Sequence, residues 1–368
     1  MNVQTSTLDG YSPLYIPPAT DTGPDVYATT DPAQAGYQWF KVTNDSAAEN
    51  GPYTPQVAMA ASINTAYADL WQRAGAAAVA HMAQLFGVDT AAAGITGPGG
   101  MQDLAGIALG QASLTVEEQA TMLATIDDDG VYHDAHVVSS ITQPSTGTQI
   151  PVTSTSYPVF SSNRVQNADD AAQVQYAMSE DTAPYGTAPG AAMSNGQQII
   201  AKTGTTNTAQ SAFFVGAIPT QALAVAMFTS EQNGKCCQTL NNLGGIQQGG
   251  FGGTWPTAIW HTYAEKMFVP LGVDQFPSPV FTGKAWNLVP PELRLPAPEP
   301  VTPPRRHRNP PGFGPPGTPR PYPTYSCNPA QVTCGPVGDP PPGNPAAVGL
   351  TALPVTLLWA RSRGRRRG

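Results

Sequence analysis

Three apolar runs lie close together in the chain and limit what it can fold into. Gln198–Lys202, Ala212–Ile218 and Leu223–Thr229 are rich in β-branched, aromatic and other apolar residues, with Thr/Asn- or Pro-containing links between them. Parallel strands need long crossovers, whereas links this short favour antiparallel hairpins. The stretch Thr257–Phe268 reads as a closing helix that lays Ile259, Trp260 and Met267 on the sheet. The expected class is therefore α/β of the α+β type, an antiparallel sheet flanked by helices.

The helices are expected upstream. Val57, Met59, Ala60, Ile63, Ala66, Tyr67 and Leu70 recur at three- and four-residue steps, which predicts one helix over 55–70. Ala76–Phe86 predicts a second helix, with Gly87 at its end. Thr115-x-x-Glu118 is a capping-box pattern ahead of Ala120, Met122, Leu123 and Ile126, and Gly130 suits the far end. Ala168–Met178 predicts a further helix. Residues 1–36 are rich in Thr, Pro, Asp and Gly with little periodicity and read as a loop-rich segment. From 296 to 345 the chain holds 18 prolines in 50 residues, a composition for an extended linker that forms neither ladder nor helix. The expected domain spans 37–295. Residues 346–368 form an apolar, then Arg-rich tail.

Charge is uneven along the chain. The net charge is −8, but the residues from Ala297 onward carry nine Arg against two acids, leaving the body strongly acidic. An acidic body argues against nucleic acid as a partner. A basic tail suits an anionic wall polymer or membrane surface, or is simply solvated. Ala346–Ala360 is apolar but interrupted by Pro354 and shorter than the ~20 residues a spanning helix needs. It could be an interface anchor, a wall-sorting tail or an unstructured tail. The four cysteines suit disulfides outside the cytoplasm; Cys327 and Cys334 could close locally, whereas a Cys236–Cys237 bridge would be strained. No histidines sit near the cysteines at ligand spacing, so no metal and no cofactor is expected. His133, His136 and His261 have no serine–carboxylate pairing of the triad kind. The first ten residues have neither a positive region nor an apolar run, so no signal peptide is expected.

Two short motifs point to chemistry: Ser62-Ile63-Asn64 and Lys202-Thr203-Gly204-Thr205. Alone, each is a common turn, cap or strand. Their surroundings change that. Ala60-Ala61-Ser62-Ile63-Asn64-Thr65-Ala66-Tyr67-Ala68-Asp69-Leu70, then Ile107-Ala108-Leu109-Gly110-Gln111, then Asp129-Gly130-Val131-Tyr132-His133 follow in order. Lys202-Thr203-Gly204-Thr205-Thr206, Phe214-Val215-Gly216 and Gly252-Gly253-Thr254-Trp255-Pro256 come after them. Over roughly 36–268 the chain resembles the transpeptidase domain of class A (bifunctional) penicillin-binding proteins. The resemblance implies the serine transpeptidase/β-lactamase-like fold and an extracytoplasmic place in the cell envelope. It also implies penicillin binding and D,D-transpeptidation, the acyl transfer that cross-links peptidoglycan stem peptides in cell-wall synthesis.

The family's third element, the nucleophile motif S-x-x-K, is missing. The residues three positions before the five lysines are Gln38, Ile199, Gln232, Tyr263 and Phe281. The chain therefore looks N-terminally truncated, either as a shortened gene product or through a start assigned too late. An isolated chain of this kind is expected to be inactive and to expose apolar surface along 55–70.

By resemblance, Ser62 passes a proton to the leaving nitrogen and Asn64 hydrogen-bonds the substrate backbone. Lys202 polarises Ser62 and attracts the substrate's terminal carboxylate. Thr203 and Thr205 supply hydroxyls to that carboxylate, and Gly204 lets the substrate approach closely. Ser62, Asn64, Lys202 and Thr205 are expected to meet in one cleft. The alternatives are a non-catalytic stem-peptide-binding module or remnant and, less favoured because no deacylating carboxylate motif is evident, a β-lactamase-like hydrolase.

Overall fold

A computed structural model describes residues 1–18, 28–36, 39–229, 238–242 and 250–294, together with the backbone of 356–361. The chain divides into two units, Met1–Arg294 with Ala352–Gly368, and Leu295–Thr351. The second unit lies outside the described residues. So do all four cysteines and nearly all of the proline-rich and Arg-rich stretches.

The first unit begins with short strands: β1 (Leu8–Asp9), β2 (Leu14–Ile16), β3 (Phe40–Val42) and β4 (Pro52–Tyr53). Helices α1 (Pro55–Ala60), α2 (Asn64–Ala74), α3 (Ala76–Leu85) and α4 (Val116–Asp127) follow. An excursion of paired short strands comes next: β5 (Val131–His133), β6 (Ile141–Thr142), β7 (Gln149–Ile150) and β8 (Ser156–Pro158). Then come α5 (Arg164–Met178), β9 (Ile200–Thr205), β10 (Ser211–Ile218), β11 (Gln221–Phe228), α6 (Trp255–Met267) and β12 (Thr356–Arg361). The main sheet has the order β12–β11–β10–β9, with every neighbouring pair antiparallel. The hairpin reading of the three apolar runs holds.

Each face of that sheet is covered by helices. On one, Phe214, Leu223 and Val225 pack against Trp260 and Phe268 of and beyond α6. Trp260 is fully buried, and its indole N–H reaches the carbonyls of Gly216 (3.3 Å) and Leu223 (3.1 Å). Its ring meets Phe214 edge-on at 5.3 Å, the arrangement that aromatic quadrupoles favour. On the other face Ile200, Ala217 and Ala222 meet Leu123 and Ile126 of α4. The capping box forms as the sequence suggests: Thr115 Oγ accepts from Glu118 N at 3.0 Å, and the Glu118 carboxylate accepts from Thr115 N at 2.7 Å. Met267 differs from expectation. It is 53% exposed, because it ends α6 on the side turned from the sheet, and Phe268 takes the buried place.

Three further differences concern local order. Residues 1–36 are not all loop: β1 pairs with β4 and β2 with β3, and Leu8, Leu14 and Ile16 are fully buried. The tail reading also has an exception, since the backbone of Thr356–Arg361 adds to the sheet beside β11. The third is the helix expected over 55–70, which is broken at Ser62.

Candidate functional site

The break is a Schellman motif, in which α1 closes through two bonds. Ser62 N donates to Met59 O at 3.1 Å, and Ile63 N donates to Ala58 O at 2.9 Å. The motif needs a left-handed residue between them, a place usually taken by glycine. Here it is Ser62, at φ +57°. A side chain in that conformation costs roughly 1–2 kcal/mol relative to glycine.

α2 restarts at Asn64 with no side-chain cap of its own. Asn44 supplies the cap from a distance. Its Oδ1 accepts from Thr65 N (3.1 Å) and Thr65 Oγ (3.2 Å), while its amide donates to Gly10 O (2.9 Å) and Glu49 O (3.0 Å). The Asn64 amide donates to Thr43 O at 3.0 Å. The corner carrying Ser62 is thereby tied to the β1–β4 region on one side. On the other, Thr187 N donates to Ala60 O at 3.0 Å, tying it to the loop that precedes β9.

β9 brings Lys202 to this corner. Lys202 Nζ donates to Ser62 Oγ at 2.9 Å and to Thr203 O at 3.0 Å, and lies 3.5 Å from Thr203 Oγ. The two residues are 140 positions apart in the chain. Burial pulls the Lys202 ammonium below its ordinary pKa, a drop that the charges of Asp181 and Asp45 offset only in part. Asp181 is fully buried behind Lys202. Burial raises its carboxyl, against the pull of Lys202 and a hydrogen bond from Thr187.

Side chains alternate along β9, so Lys202 and the Cα–H of Gly204 face one way and Thr203 and Thr205 the other. A Cβ on Gly204 would meet only Phe213, at an ordinary 3.5 Å. Packing does not demand glycine there; the space is open. The close approach falls instead on Gly252, where a Cβ would lie 2.4 Å from Phe213 O and 2.6 Å from Gly204 O. This lets Gly252 N donate to Thr205 Oγ at 3.0 Å. Thr205 is exposed and keeps its own proton to give. Thr203 is placed differently from the expected ligand-facing hydroxyl: it lies 2.6 Å from Thr187 Oγ, turned into the protein.

Ser62, Lys202 and Thr203 are thus joined directly, and Asn64 and Thr205 flank them. Beyond Gly204 on the same sheet face lies an open apolar groove of about 450 Å³, lined by Leu114–Glu117, Phe213, Ala226 and Phe228. Sequence reading missed Asp181, Thr187 and Asn44. Gly186 was the available signal for the first two: a Cβ there would sit 2.2 Å from Asp181 O, so only glycine closes that loop. Among the described residues, no cluster of three or more His, Cys, Asp or Glu could hold a metal ion. His133 pairs with Asp128 at 2.9 Å, apart from the hydroxyls gathered around Lys202.

Residues 22–243 match the model of the family described as the penicillin binding protein transpeptidase domain. No curated protein matches the chain. Among solved structures it is similar to penicillin-binding protein 1A from Haemophilus influenzae, at 20% identity and a TM-score of 0.50 over 75% of this chain. The chain spans only 41% of that protein's length. It is also similar to PBPA from Mycobacterium tuberculosis, at 20% identity and TM-score 0.44 over 72% of this chain and 56% of the other. A peptidoglycan glycosyltransferase from Burkholderia ambifaria matches at 16% identity and TM-score 0.44, over 75% of each chain.

Proposed function

The chain belongs to the penicillin-binding-protein transpeptidase domain family, and from that premise we propose that it carries the carboxylate-recognising half of a D,D-transpeptidase site. Its ligands are peptidoglycan stem peptides ending in a free carboxylate, and the β-lactams that carry one in a similar place. The family as a whole binds both, and its domains in general work outside the cytoplasm. Among the described residues no helix is long and apolar enough to cross a membrane. The Arg-rich tail would meet anionic wall polymer or membrane surface.

One observation carries the proposal: Lys202 Nζ stands 2.9 Å from Ser62 Oγ across 140 residues of sequence, with Ser62 held in a conformation that costs stability. The ammonium offers a fixed positive charge at the edge strand of the sheet. The Thr205 hydroxyl adds a donor to the same carboxylate. Open space at Gly204 lets the peptide backbone lie close to β9 as an added strand, where backbone groups supply affinity. Ser62, polarised by Lys202, would relay to the departing amine the proton released by the attacking nucleophile, and Asn64 would hydrogen-bond the substrate backbone. Acyl transfer also needs a nucleophile and an oxyanion hole. No serine in these 368 residues stands three before a lysine. That observation favours a second reading for the polypeptide by itself, a stem-peptide-binding module that forms no acyl-enzyme.

The test is binding of an N-acyl peptide ending in D-Ala-D-Ala, followed by calorimetry with the full chain. Saturable binding is expected. Lys202→Ala should weaken it ten-fold or more, since a hydrogen bond to a charged group is worth about 1.5–3 kcal/mol. Absent binding, or binding indifferent to Lys202→Ala, refutes the assignment.

A further inference from the structure

Behind Lys202 the structure contains a line of hydroxyls that ends on a carboxylate. Asp181 is fully buried. Its Oδ1 accepts from Thr187 Oγ at 2.5 Å. Thr187 Oγ lies 2.6 Å from Thr203 Oγ, which lies 3.5 Å from Lys202 Nζ. The other carboxylate oxygen, Oδ2, is buried and accepts no hydrogen bond. A buried carboxylate with a bare oxygen is costly unless a charge lies near. Lys202 is the cation that acts on it.

The loop is built to hold this carboxylate. Ala188 N donates to Asp181 O at 2.9 Å, closing 181–188 into a compact turn around it. Gly253 packs over Thr187, where a Cβ would meet Thr187 O at 2.2 Å. The same Thr187 bonds Ala60 O, two residues before Ser62. One loop therefore touches both halves of the Ser62–Lys202 pair.

We propose that Asp181 is a positioning residue that sets the direction of every proton in this line and keeps Lys202 a fixed cation beside Ser62. The consequence for the site rests on the transpeptidase-type reading. The direction follows from valence. An ionised Asp181 can only accept, so Thr187 must spend its proton on it. Thr187 Oγ then accepts the proton of Thr203. Thr203 Oγ is left with lone pairs only, and they face the ammonium of Lys202. Thr203 therefore has no proton to offer a ligand carboxylate, and that donor role passes to Thr205. Lys202 in turn must donate to Ser62 Oγ, which leaves the Ser62 proton free to point into the cleft. Lys202 acts as an anchor for negative charge and not as a base. The charged groups that face it are Asp181 and, from the segment before α1, Asp45.

The chain has only five lysines, so ¹³Cε-lysine NMR of the full chain resolves each one, and the signal lost in Lys202→Met assigns Lys202. In Asp181→Asn, which keeps the shape and an oxygen for Thr187, the Lys202 titration midpoint should move down while the other four stay in place. An unchanged Lys202 midpoint in the folded variant overturns the proposal. Where that variant fails to fold, the wild-type protein decides. Its Lys202 signal should show a second inflection in the acid range as Asp181 takes up a proton; a Lys202 signal flat through that range overturns the proposal. Neither readout involves a ligand, so failure here is separate from failure of the peptide-binding test above.

Discussion

Ser62 offers a direct measure of how much stability the site gives up for its geometry. Ser62→Ala and Ser62→Gly both remove the hydroxyl that accepts from Lys202, so both lose the same contact. They differ in backbone alone. At φ +57° an alanine keeps the left-handed cost of roughly 1–2 kcal/mol, and glycine sheds it. Glycine loses roughly 0.4–1 kcal/mol of that gain to the larger freedom of its unfolded chain. The glycine variant should therefore be the more stable by about 0.5–1 kcal/mol, the reverse of the order seen inside helices. For a chain of this size that is only about 1 °C in Tm, so urea melts at one pH, which read the free energy directly, are the better measure. Peptide binding should fall equally in both, because the hydroxyl is absent from both. If Ser62→Ala proves as stable as Ser62→Gly, the left-handed turn at the motif serine is wrong, and with it the explanation of why the helix breaks there.

Three other outcomes follow. Burial lifts the Asp9 carboxyl from 3.8 to about 6, with Asp69 and Glu292 adding repulsion and Arg73 and the Tyr11 amide opposing. A raised carboxylate costs stability above its folded pKa and costs nothing below the unfolded one, so Asp9→Asn should stabilise the protein at pH 8 by up to about 3 kcal/mol. Urea melts at pH 4 should show no such gain, and a gain of equal size at both pH values would refute the cause. Gly216→Ala should destabilise by about 1–3 kcal/mol through overpacking, because its Cβ would sit 2.8 Å from the Trp260 ring; a neutral melt would refute that packing. Fluorescent penicillin should leave no covalent label on the 368-residue chain, which has no S-x-x-K serine, and an adduct mapped by mass spectrometry to any serine in it would overturn this.

The difference between what was legible and what was not follows the range of the interactions. Thr115 and Glu118 cap α4 through bonds spanning three residues, so the pattern and the structure are nearly the same fact. The hairpins β9–β10 and β10–β11 need only apolar runs and links too short for a crossover, and the sequence shows both. The motifs around Ser62 and Lys202 were readable as words, and the resemblance implied that they meet, as they do at 2.9 Å; the loop behind them was not readable. The periodicity of 55–70 continues through Ser62 without a mark, since three- and four-residue spacing records which side chains are buried and not the φ of one residue. The turn there is held from outside, by Thr187 on Ala60 and by Asn44 on Thr65. Asp181 carried no signal of its own in a loop without period. It became part of the site only when the chain folded a carboxylate under a lysine 21 residues further along. The sequence by itself determined the three hairpin strands, the cap of α4 and the chemical vocabulary, because those depend on neighbours in the chain. Only the tertiary structure decided which hydroxyl faces the cleft, which faces inward and what holds the lysine charged, because burial and proton direction depend on groups that meet through space.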